Sequence, residues 1–299
     1  MARHAFRIVN VFAETPLAGN PLAVFEDGRG LDDATMQALA LQFNLSETTF
    51  ILPSAKATAH VRIFTPTFEM PFAGHPTLGT AQVVREVKAA GDAVTLEMLA
   101  GVIPVRAEGD RWTLQANAPR TRPVSATRAE LAAMLGLDAD DLAGTDPSRV
   151  RANSRLPDGP PLWVDTGSEQ LMIPLASADA VRRAAPRADL LAKHGSVALP
   201  GASSRALAYV WAETGPGAVL ARFFFMKYGA VVEDPGTGSA CANLGGWLVA
   251  TGAQRPCVFS VDQGEAVGRR CNLGLRVDEK AAIFVSGRVI ELGRGAIDL

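Results

Sequence analysis

Residues 233–240 decide the fold, and they read Glu233-Asp234-Pro235-Gly236-Thr237-Gly238-Ser239-Ala240. An apolar strand pattern at 219–225 precedes this stretch, and a helical pattern that Gly252 is expected to end follows it. The apolar face of that helix is formed by Leu244, Trp247, Leu248 and Thr251. Glycines let the backbone approach a ligand, and the first N–H groups of a helix attract anions. The stretch therefore predicts a loop that opens a helix and binds a carboxylate or phosphate.

A second loop of the same design lies in the first half of the chain, at 68–76. Pro76 is expected at the first helical position, where a missing N–H costs nothing. The two loops correspond as Ala73-Gly74-His75-Pro76 and Pro235-Gly236-Thr237-Gly238. Each half also shows a strand, a glycine turn, a strand and a helix before its loop. This order predicts an internal duplication whose two helix N-termini point at one cleft between two domains.

The expected boundary between the halves lies in a segment at 119–161 that is rich in proline and polar residues and holds one helical pattern, at 128–135. We predict a first domain at 1–118, joined by the last strand at about 286–299. The second domain is predicted at 119–285, with the active site in the cleft between the two. Strands and helices alternate in both, so the predicted fold class is α/β (α+β).

Composition excludes several classes of protein. Of 299 residues, 48% are hydrophobic and 20% are charged, which is enough apolar side chain for a sizeable core and argues against disorder. The net charge of −2 and the lack of a basic stripe argue against nucleic-acid binding. No apolar run approaches the length of a membrane span, and the three cysteines form neither a disulfide framework nor a zinc motif. We expect a cytoplasmic protein.

Glu47 is the first candidate for acid/base chemistry. It lies in an apolar strand pattern and shares strand parity with Leu45 and Ile51, so it faces inward if they do. A carboxylate in apolar surroundings has a raised pKa and can act as a general base near pH 7. A surface glutamate on an edge strand is the more common alternative for such a residue.

The two loops supply the other candidates. His75, at a helix entrance, can donate, accept or relay a proton, although an isolated histidine there is more often a cap. Thr237 or Ser239 can bind a ligand, although helix capping is the commoner role for this spacing. The four histidines are scattered and predict no metal site. Cys241 falls inside the predicted helix and is expected in the core.

Five motifs, in order along nearly the whole chain, resemble the phenazine-biosynthesis isomerase (PhzF-like) family. They are Gly19-Asn20-Pro21-Leu22-Ala23-Val24, Asn44-Leu45-Ser46-Glu47-Thr48, Phe64-Thr65-Pro66, Pro71-Phe72-Ala73-Gly74-His75-Pro76 and Glu233-Asp234-Pro235 with Thr237-Gly238-Ser239-Ala240. The resemblance implies the diaminopimelate-epimerase-like fold, with two pseudo-symmetric domains that each have a mixed sheet around a central helix. It also implies a homodimer that uses no cofactor and no metal.

The resemblance further implies an isomerase that lifts a proton from one carbon and returns it to another, as with trans-2,3-dihydro-3-hydroxyanthranilate. Glu47 is then the acid/base, and His75 and Asp234 bind the amine or hydroxyl of the substrate and relay the proton. The amides of Gly74 and of the loop segment Gly236-Thr237-Gly238-Ser239 are expected to hold its carboxylate. The expected partner is a small, cyclic amino or hydroxy carboxylic acid.

The chain departs from its fold relatives at two positions. Racemases and epimerases of this fold place one cysteine in each loop, whereas this chain has Ala73 and Pro235, so we expect no two-thiol mechanism. Gln170 stands where the family commonly has another polar residue, which leaves the substrate open. Two other functions stay open: a lyase or hydratase that uses the same carboxylate on a hydroxy acid, and a non-catalytic protein that binds small acids.

Overall fold

The computed structural model describes residues 2–144, 156–198 and 204–299. The chain divides into two compact units. Unit 1 comprises Met1–Gln115, Arg269–Asn272 and Ser286–Leu299, and unit 2 comprises Ala116–Gly268 and Leu273–Val285. The chain thus returns to unit 1 at Arg269–Asn272, a short crossing that the sequence pattern did not indicate.

Unit 1 is built from a mixed sheet and two helices. Its elements in chain order are β1 (Arg3–Val11), β2 (Asn20–Phe25), α1 (Asp33–Phe43), β3 (Glu47–Leu52), β4 (Ala59–Phe64), β5 (Glu69–Met70), α2 (Gly74–Val87), β6 (Ala93–Met98), β7 (Gly101–Glu108) and β8 (Arg111–Gln115). Two later strands, β17 (Cys271–Val277) and β18 (Ile283–Asp298), run through both units.

The sheet of unit 1 closes on itself. β1 pairs antiparallel with β2 and β18, β2 runs parallel to β3, and β3 is antiparallel to β4. β4 runs parallel to β6, β6 and β7 are antiparallel, β7 and β8 are antiparallel, and β8 pairs with β18. α2 contacts β1, β2, β3, β4, β6, β7 and β8, so it is the central helix of this unit.

Gly79 explains how α2 fits so closely inside its sheet. A Cβ atom at this position would lie 2.7 Å from Leu22 Cδ2 and 2.9 Å from Val11 Cγ2. Both neighbouring side chains are fully buried, so neither has free space to move into. The glycine is required by packing, because only a residue without a side chain lets β1 and β2 approach this turn of the helix.

Unit 2 has the same kind of elements in a different proportion. They are β9 (Arg120–Pro123), α3 (Arg128–Leu135), a 3-10 turn (Ala139–Asp141), β10 (Leu162–Asp165), β11 (Gln170–Pro174), α4 (Ala178–Arg183), α5 (Ala188–His194), β12 (Ser196–Ala198), β13 (Ser204–Gly215), β14 (Ala218–Lys227), β15 (Ala230–Asp234), α6 (Gly238–Ala250) and β16 (Cys257–Gln263).

The sheet of unit 2 is also mixed. β9, β10 and β11 form an antiparallel set, and β11 runs parallel to β13. β13 and β14 form a long antiparallel pair, and β14 continues to β15 antiparallel and to β16 parallel. α6 contacts β9, β10 and β11 on one side, and Gly245 brings it against Leu275 and Ile283 on another. α6 is therefore the central helix of unit 2.

Smaller helices pack elsewhere on each sheet. α1 packs on β3 and β4 through Met36, Leu39 and Ala40, against a cluster that includes Phe25 and Phe50. In unit 2, α4 and α5 both pack against β13 and β14, and α3 packs on α5. Within the described residues, no helix is long and apolar enough to cross a membrane.

The two predicted loops are shorter than expected. Gly74, not Pro76, is the first helical residue of α2, so Pro76 is the third. Proline fits there because the N–H groups of the whole first turn lack partners within the helix. In unit 2, β15 extends to Asp234 and α6 begins at Gly238, so only residues 235–237 connect them. The pattern missed β15 because its residues are only half-buried or exposed.

Candidate active site

Glu47 is the first residue of β3, which lies inside the sheet between β2 and β4. Only 15% of its side chain is exposed, which excludes the alternative of a surface glutamate on an edge strand. Strand parity is not the reason, because the residues at 48–51 are all buried and both faces of β3 are covered. The helix α2 packs against β3 and shields the carboxylate of Glu47.

His75 is the second residue of α2, and its Nε2 lies 3.4 Å from Oε2 of Glu47. The ring is buried, and burial lowers its pKa to about 3, although a hydrogen bond with the backbone of Pro21 opposes this. The imidazole is therefore uncharged near neutral pH, and its contact with Glu47 is not an ion pair. A neutral ring can accept a proton at one nitrogen while donating from the other.

Asn20 lies on the other side of the imidazole. Its Nδ2 is 3.5 Å from Nδ1 of His75, and the residue is fully buried at the start of β2. The ring is thus held between an amide and a carboxylate. This role of Asn20 was not predicted from the sequence, although a polar residue at the entrance of an apolar strand is a signal that could have indicated it.

α2 begins without a side-chain cap, because its N-cap residue is Ala73. Helix geometry leaves the N–H groups of Gly74 and His75 without intrahelical partners, and Pro76 has none to offer. His75 is therefore not a capping residue in this structure. The first turn of α2 instead presents two backbone donors, and it carries the His75 ring that contacts Glu47.

Asp234 ends β15 in unit 2, and its carboxylate accepts a hydrogen bond from the hydroxyl of Thr237. Gln263 organises this contact: its Nε2 donates to the Asp234 carbonyl (2.8 Å) and to Thr237 Oγ1 (3.0 Å). Its Oε1 accepts from the Thr237 N–H at 3.3 Å. Because the Thr237 oxygen already accepts from the amide, its proton is directed to Asp234.

Thr237 occupies the N-cap position of α6, yet its side chain makes no capping bond. Capping was the commoner expectation for this residue, and it is wrong because Thr237 Oγ1 accepts from Gln263 Nε2 and donates to Asp234 instead. The N–H groups of Gly238, Ser239 and Ala240 accordingly lack a capping partner from the Thr237 side chain. This turn of α6 matches the first turn of α2 in that both begin without a side-chain cap.

Ser239 is the second residue of α6, and its Oγ accepts a 2.9 Å hydrogen bond from Nε2 of Gln170. Gln170 also accepts from Nδ2 of Asn243 at 2.9 Å, and both amide residues are buried. Gln170 was singled out from the sequence, whereas Asn243 and Gln263 were not. An asparagine within the apolar pattern of α6 is the signal that could have identified the first of these two.

The neighbouring residues Glu233 and Cys241 serve structure. Glu233 points to the other face of β15 and forms a buried ion pair with Arg222, with contacts of 2.7 and 3.1 Å. Cys241 is fully buried, as expected, and burial raises the pKa of its thiol well above the usual range. Neither residue is available as a nucleophile or base at the surface of its unit.

The predicted site residues thus fall into two groups. Glu47, Gly74 and His75 lie together in unit 1. Asp234, Gly236, Thr237, Gly238 and Ser239 lie together in unit 2, at the turn between β15 and α6. Each group combines the first turn of a central helix with side chains that can exchange protons or bind polar groups.

A mixed sheet around a central helix, present in each of two units, is the diaminopimelate-epimerase-like fold. The chain belongs to the phenazine biosynthesis-like protein family, whose sequence profile matches residues 9–294.

Curated relatives and solved structures agree with this membership. An uncharacterised isomerase of Pasteurella multocida is 37% identical over 298 residues, which cover 98% of this chain and 94% of the relative. The trans-2,3-dihydro-3-hydroxyanthranilate isomerase of Pseudomonas fluorescens is 32% identical, covering 99% of this chain and all of the relative. A PhzF-family protein of Bacillus anthracis has the same fold, with a TM-score of 0.81, 22% identity and full coverage of both chains.

Proposed function

We propose that this chain is an isomerase that moves a proton between two carbon atoms of a small carboxylic acid, with Glu47 as the acid/base. The observation that carries the proposal is the 3.4 Å contact between the shielded carboxylate of Glu47 and the uncharged imidazole of His75. Family membership supports it, because the relatives from Pasteurella multocida and Pseudomonas fluorescens are isomerases by name.

The proton balance of this reaction requires only one base. Glu47 takes a proton from one carbon, the electron pair of that C–H bond shifts into the π system, and a proton is delivered to a second carbon. Nothing else is gained or lost, so the product is an isomer. A carboxylate that is 15% exposed can hold the abstracted proton long enough to return it, since few water molecules reach it.

His75 suits the role of relay. Burial keeps the ring neutral, so Nε2, which faces Glu47, can exchange a proton with that carboxylate. A cationic imidazole next to Glu47 would instead stabilise the carboxylate and weaken it as a base. We therefore assign the second proton transfer to either Glu47 itself or His75 acting with it.

For unit 2 we propose substrate binding. The amides of Gly236, Thr237, Gly238 and Ser239 would hold the substrate carboxylate, because helix N-termini favour anions. Asp234, fixed by Thr237, would bind an amine or a hydroxyl. A substrate with these groups is trans-2,3-dihydro-3-hydroxyanthranilate, named for the Pseudomonas fluorescens relative. We propose it, or a close cyclic amino hydroxy acid, as the substrate.

The mechanism proposed here uses side chains and backbone alone, with no cofactor or metal. It also uses no thiol, since Ala73 and Pro235 occupy the loop positions of the cysteines expected in a racemase. The Glu47 carboxylate is thus the group on which the proposal rests.

The test is deuterium uptake from heavy water into trans-2,3-dihydro-3-hydroxyanthranilate, followed by mass spectrometry. Wild type is expected to incorporate deuterium and to form an isomer of unchanged composition. Glu47→Gln keeps the shape of the side chain and is expected to abolish uptake while still binding substrate. Glu97→Gln is the matched control, because Glu97 lies on β6 and contacts Ser54 and Lys56.

Three outcomes would contradict the proposal. Uptake at the wild-type rate in Glu47→Gln would remove Glu47 from the reaction. Loss of water from the product would indicate a lyase or hydratase. Binding of the acid and of related cyclic amino hydroxy acids without any chemical change would indicate a non-catalytic binding protein.

A further inference from the structure

A chain of hydrogen bonds with a single possible direction lies behind Ser239. The backbone N–H of Thr166 donates to Asn243 Oδ1 at 2.9 Å, and Asn243 Nδ2 donates to the carbonyl of Ser168 at 2.8 Å. A backbone N–H can only donate and a carbonyl can only accept. The orientation of the Asn243 amide is therefore determined by its backbone neighbours, without any choice between its oxygen and its nitrogen.

The orientation of the Asn243 amide in turn fixes the orientation of the Gln170 amide. The Asn243 NH2 group also faces Gln170 at 2.9 Å, so the Gln170 atom in that contact must be its oxygen. The NH2 group of Gln170 then faces Ser239 Oγ, also at 2.9 Å. An amide NH2 has no acceptor function, so the Ser239 oxygen must accept. Gln170 is 2% exposed and Asn243 is fully buried, so bulk water does not compete.

These contacts determine how the single hydroxyl proton of Ser239 can be used. Because the oxygen accepts from Gln170, the proton is not used there and is free to be donated elsewhere. Among the residues that the structure describes, no acceptor is recorded for it. Ser239 belongs to the first turn of α6, where backbone N–H groups are donors as well. The Ser239 hydroxyl and the backbone N–H groups that begin α6 are therefore all donors.

We propose that Gln170 and Asn243 are positioning residues that hold the Ser239 hydroxyl as a hydrogen-bond donor. This end of α6 then takes an acceptor oxygen of the substrate, its carboxylate, and rejects its amine. The inference rests on the proposed function, because it deepens the role given there to Ser239.

The same arrangement, an amide NH2 group that donates to a hydroxyl oxygen, occurs at Thr237, and there the acceptor of the hydroxyl proton lies within the protein. Gln263 donates to Thr237 Oγ1, and the Thr237 hydroxyl proton goes to the carboxylate of Asp234. In that case the carboxylate belongs to the protein. For Ser239, the corresponding carboxylate would belong to the substrate.

The experiment measures binding by calorimetry at neutral pH, with 3-hydroxyanthranilate as the probe and 2-amino-3-hydroxybenzylamine as its cationic counterpart. Ser239→Ala is expected to raise the dissociation constant of 3-hydroxyanthranilate by roughly 10- to 100-fold, which is the effect of one lost hydrogen bond to a charged group. Gln170→Glu keeps the shape and the acceptor for Asn243, and in its ionised form it cannot donate. The carboxylate would accept the hydrogen bond of the Ser239 hydroxyl, so the affinity for the probe should fall as much as it does in Ser239→Ala.

Two further variants separate positioning from structure and from charge repulsion. Gln170→Met leaves no competing acceptor, so the hydroxyl can still donate outwards and affinity should stay within about threefold of wild type. In the Ser239→Ala background, Gln170→Glu should cost at most about threefold more, because the two residues act as one unit. Full additivity of the two losses, or a large loss in Gln170→Met, would overturn the inference.

Wild type and Ser239→Ala keep the inference falsifiable if Gln170→Glu does not fold. Binding of the benzylamine as tightly as 3-hydroxyanthranilate, or no binding of 3-hydroxyanthranilate by wild type, would each overturn it. Failure of the proposed function looks different. The probe would bind with the expected coupling between residues 170 and 239, yet no deuterium would enter any substrate.

Discussion

The imidazole Nε2 of His75 lies 3.4 Å from Oε2 of Glu47, and burial keeps that imidazole uncharged. One residue is the second of a helix and the other is the first of a strand. The contact therefore depends on how α2 sits inside the sheet of unit 1. It also links the stability of the unit to pH, because a buried neutral histidine resists protonation.

We expect His75 to make the protein sensitive to acid. The folded protein binds this proton near pH 3 and the unfolded chain near pH 6.5, so acid favours unfolding between these values. Above about pH 6.5 the neutral His75 costs the folded protein no stability. As pH falls below that value, the free energy of unfolding decreases with a slope approaching about 1.4 kcal/mol per pH unit.

Urea unfolding from pH 7 to pH 4 measures this slope. His75→Gln should flatten it, whatever its stability at pH 7, whereas His194→Gln at the end of α5 is the matched control and should keep it. An unchanged slope in His75→Gln would show that His75 is protonated in the folded protein.

Thr237→Val tests the support of Asp234. The substitution keeps the shape of the side chain but removes the hydroxyl that donates to Asp234 and accepts from Gln263. We expect kcat/KM for isomerisation to fall about tenfold or more, since a hydrogen bond to a charged group contributes about 1.5–3 kcal/mol. Steady-state kinetics measures it.

Thr251→Val is the control for that variant, because Thr251 lies at the other end of α6 and its hydroxyl bonds only the Trp247 carbonyl among the described contacts. Equal losses in the two variants would mean that Thr237 contributes through the stability of α6 and not through Asp234.

Gly79→Ala should destabilise the protein although alanine is the better helix former. The new Cβ would lie 2.7 Å from Leu22 and 2.9 Å from Val11, both fully buried. Overpacking costs about 1–3 kcal/mol, which exceeds the gain of up to about 1 kcal/mol in helix propensity. Gly91→Ala, whose Cβ would meet nothing within 4 Å, is the control. Thermal unfolding compares the two, and a rise in melting temperature for Gly79→Ala would contradict the packing described here.

Asn243→Ala should destabilise unit 2. The side chain bonds the N–H and hydroxyl of Thr166, the carbonyl of Ser168 and the amide of Gln170, and it is fully buried. Removal leaves several buried groups unpaired, and each such group costs about 1–3 kcal/mol. We expect a loss of at least about 2 kcal/mol in denaturant unfolding, against little change for Asn117→Ala, which is exposed. A loss below about 0.5 kcal/mol would show that water replaces these bonds.

Much of the fold was predictable, because its signals are local. The two ends of α1 depend on nearby residues alone: Asp32 accepts from the N–H of Thr35, and Asn44 takes the left-handed conformation that ends the helix. The bounds of α3, Arg128–Leu135, were predicted in full. The strand β9 was missed because its four residues are all exposed and carry no apolar pattern. The helix α5 was also missed, and only Leu191 of its residues is buried.

The sequence by itself determined that a short glycine-containing turn opens each central helix, since the glycines at 74, 236 and 238 are neighbours along the chain. The structure decided that α2 begins at Gly74 and not at Pro76, and that Thr237 does not cap α6. Only the tertiary structure decided how Glu47 and Ser239 are used. The burial of Glu47 depends on α2 packing over β3. The direction of the Ser239 hydroxyl depends on amides at 170 and 243, far apart in the chain. Burial and hydrogen-bond direction are set by neighbours in space, which the order of residues does not specify.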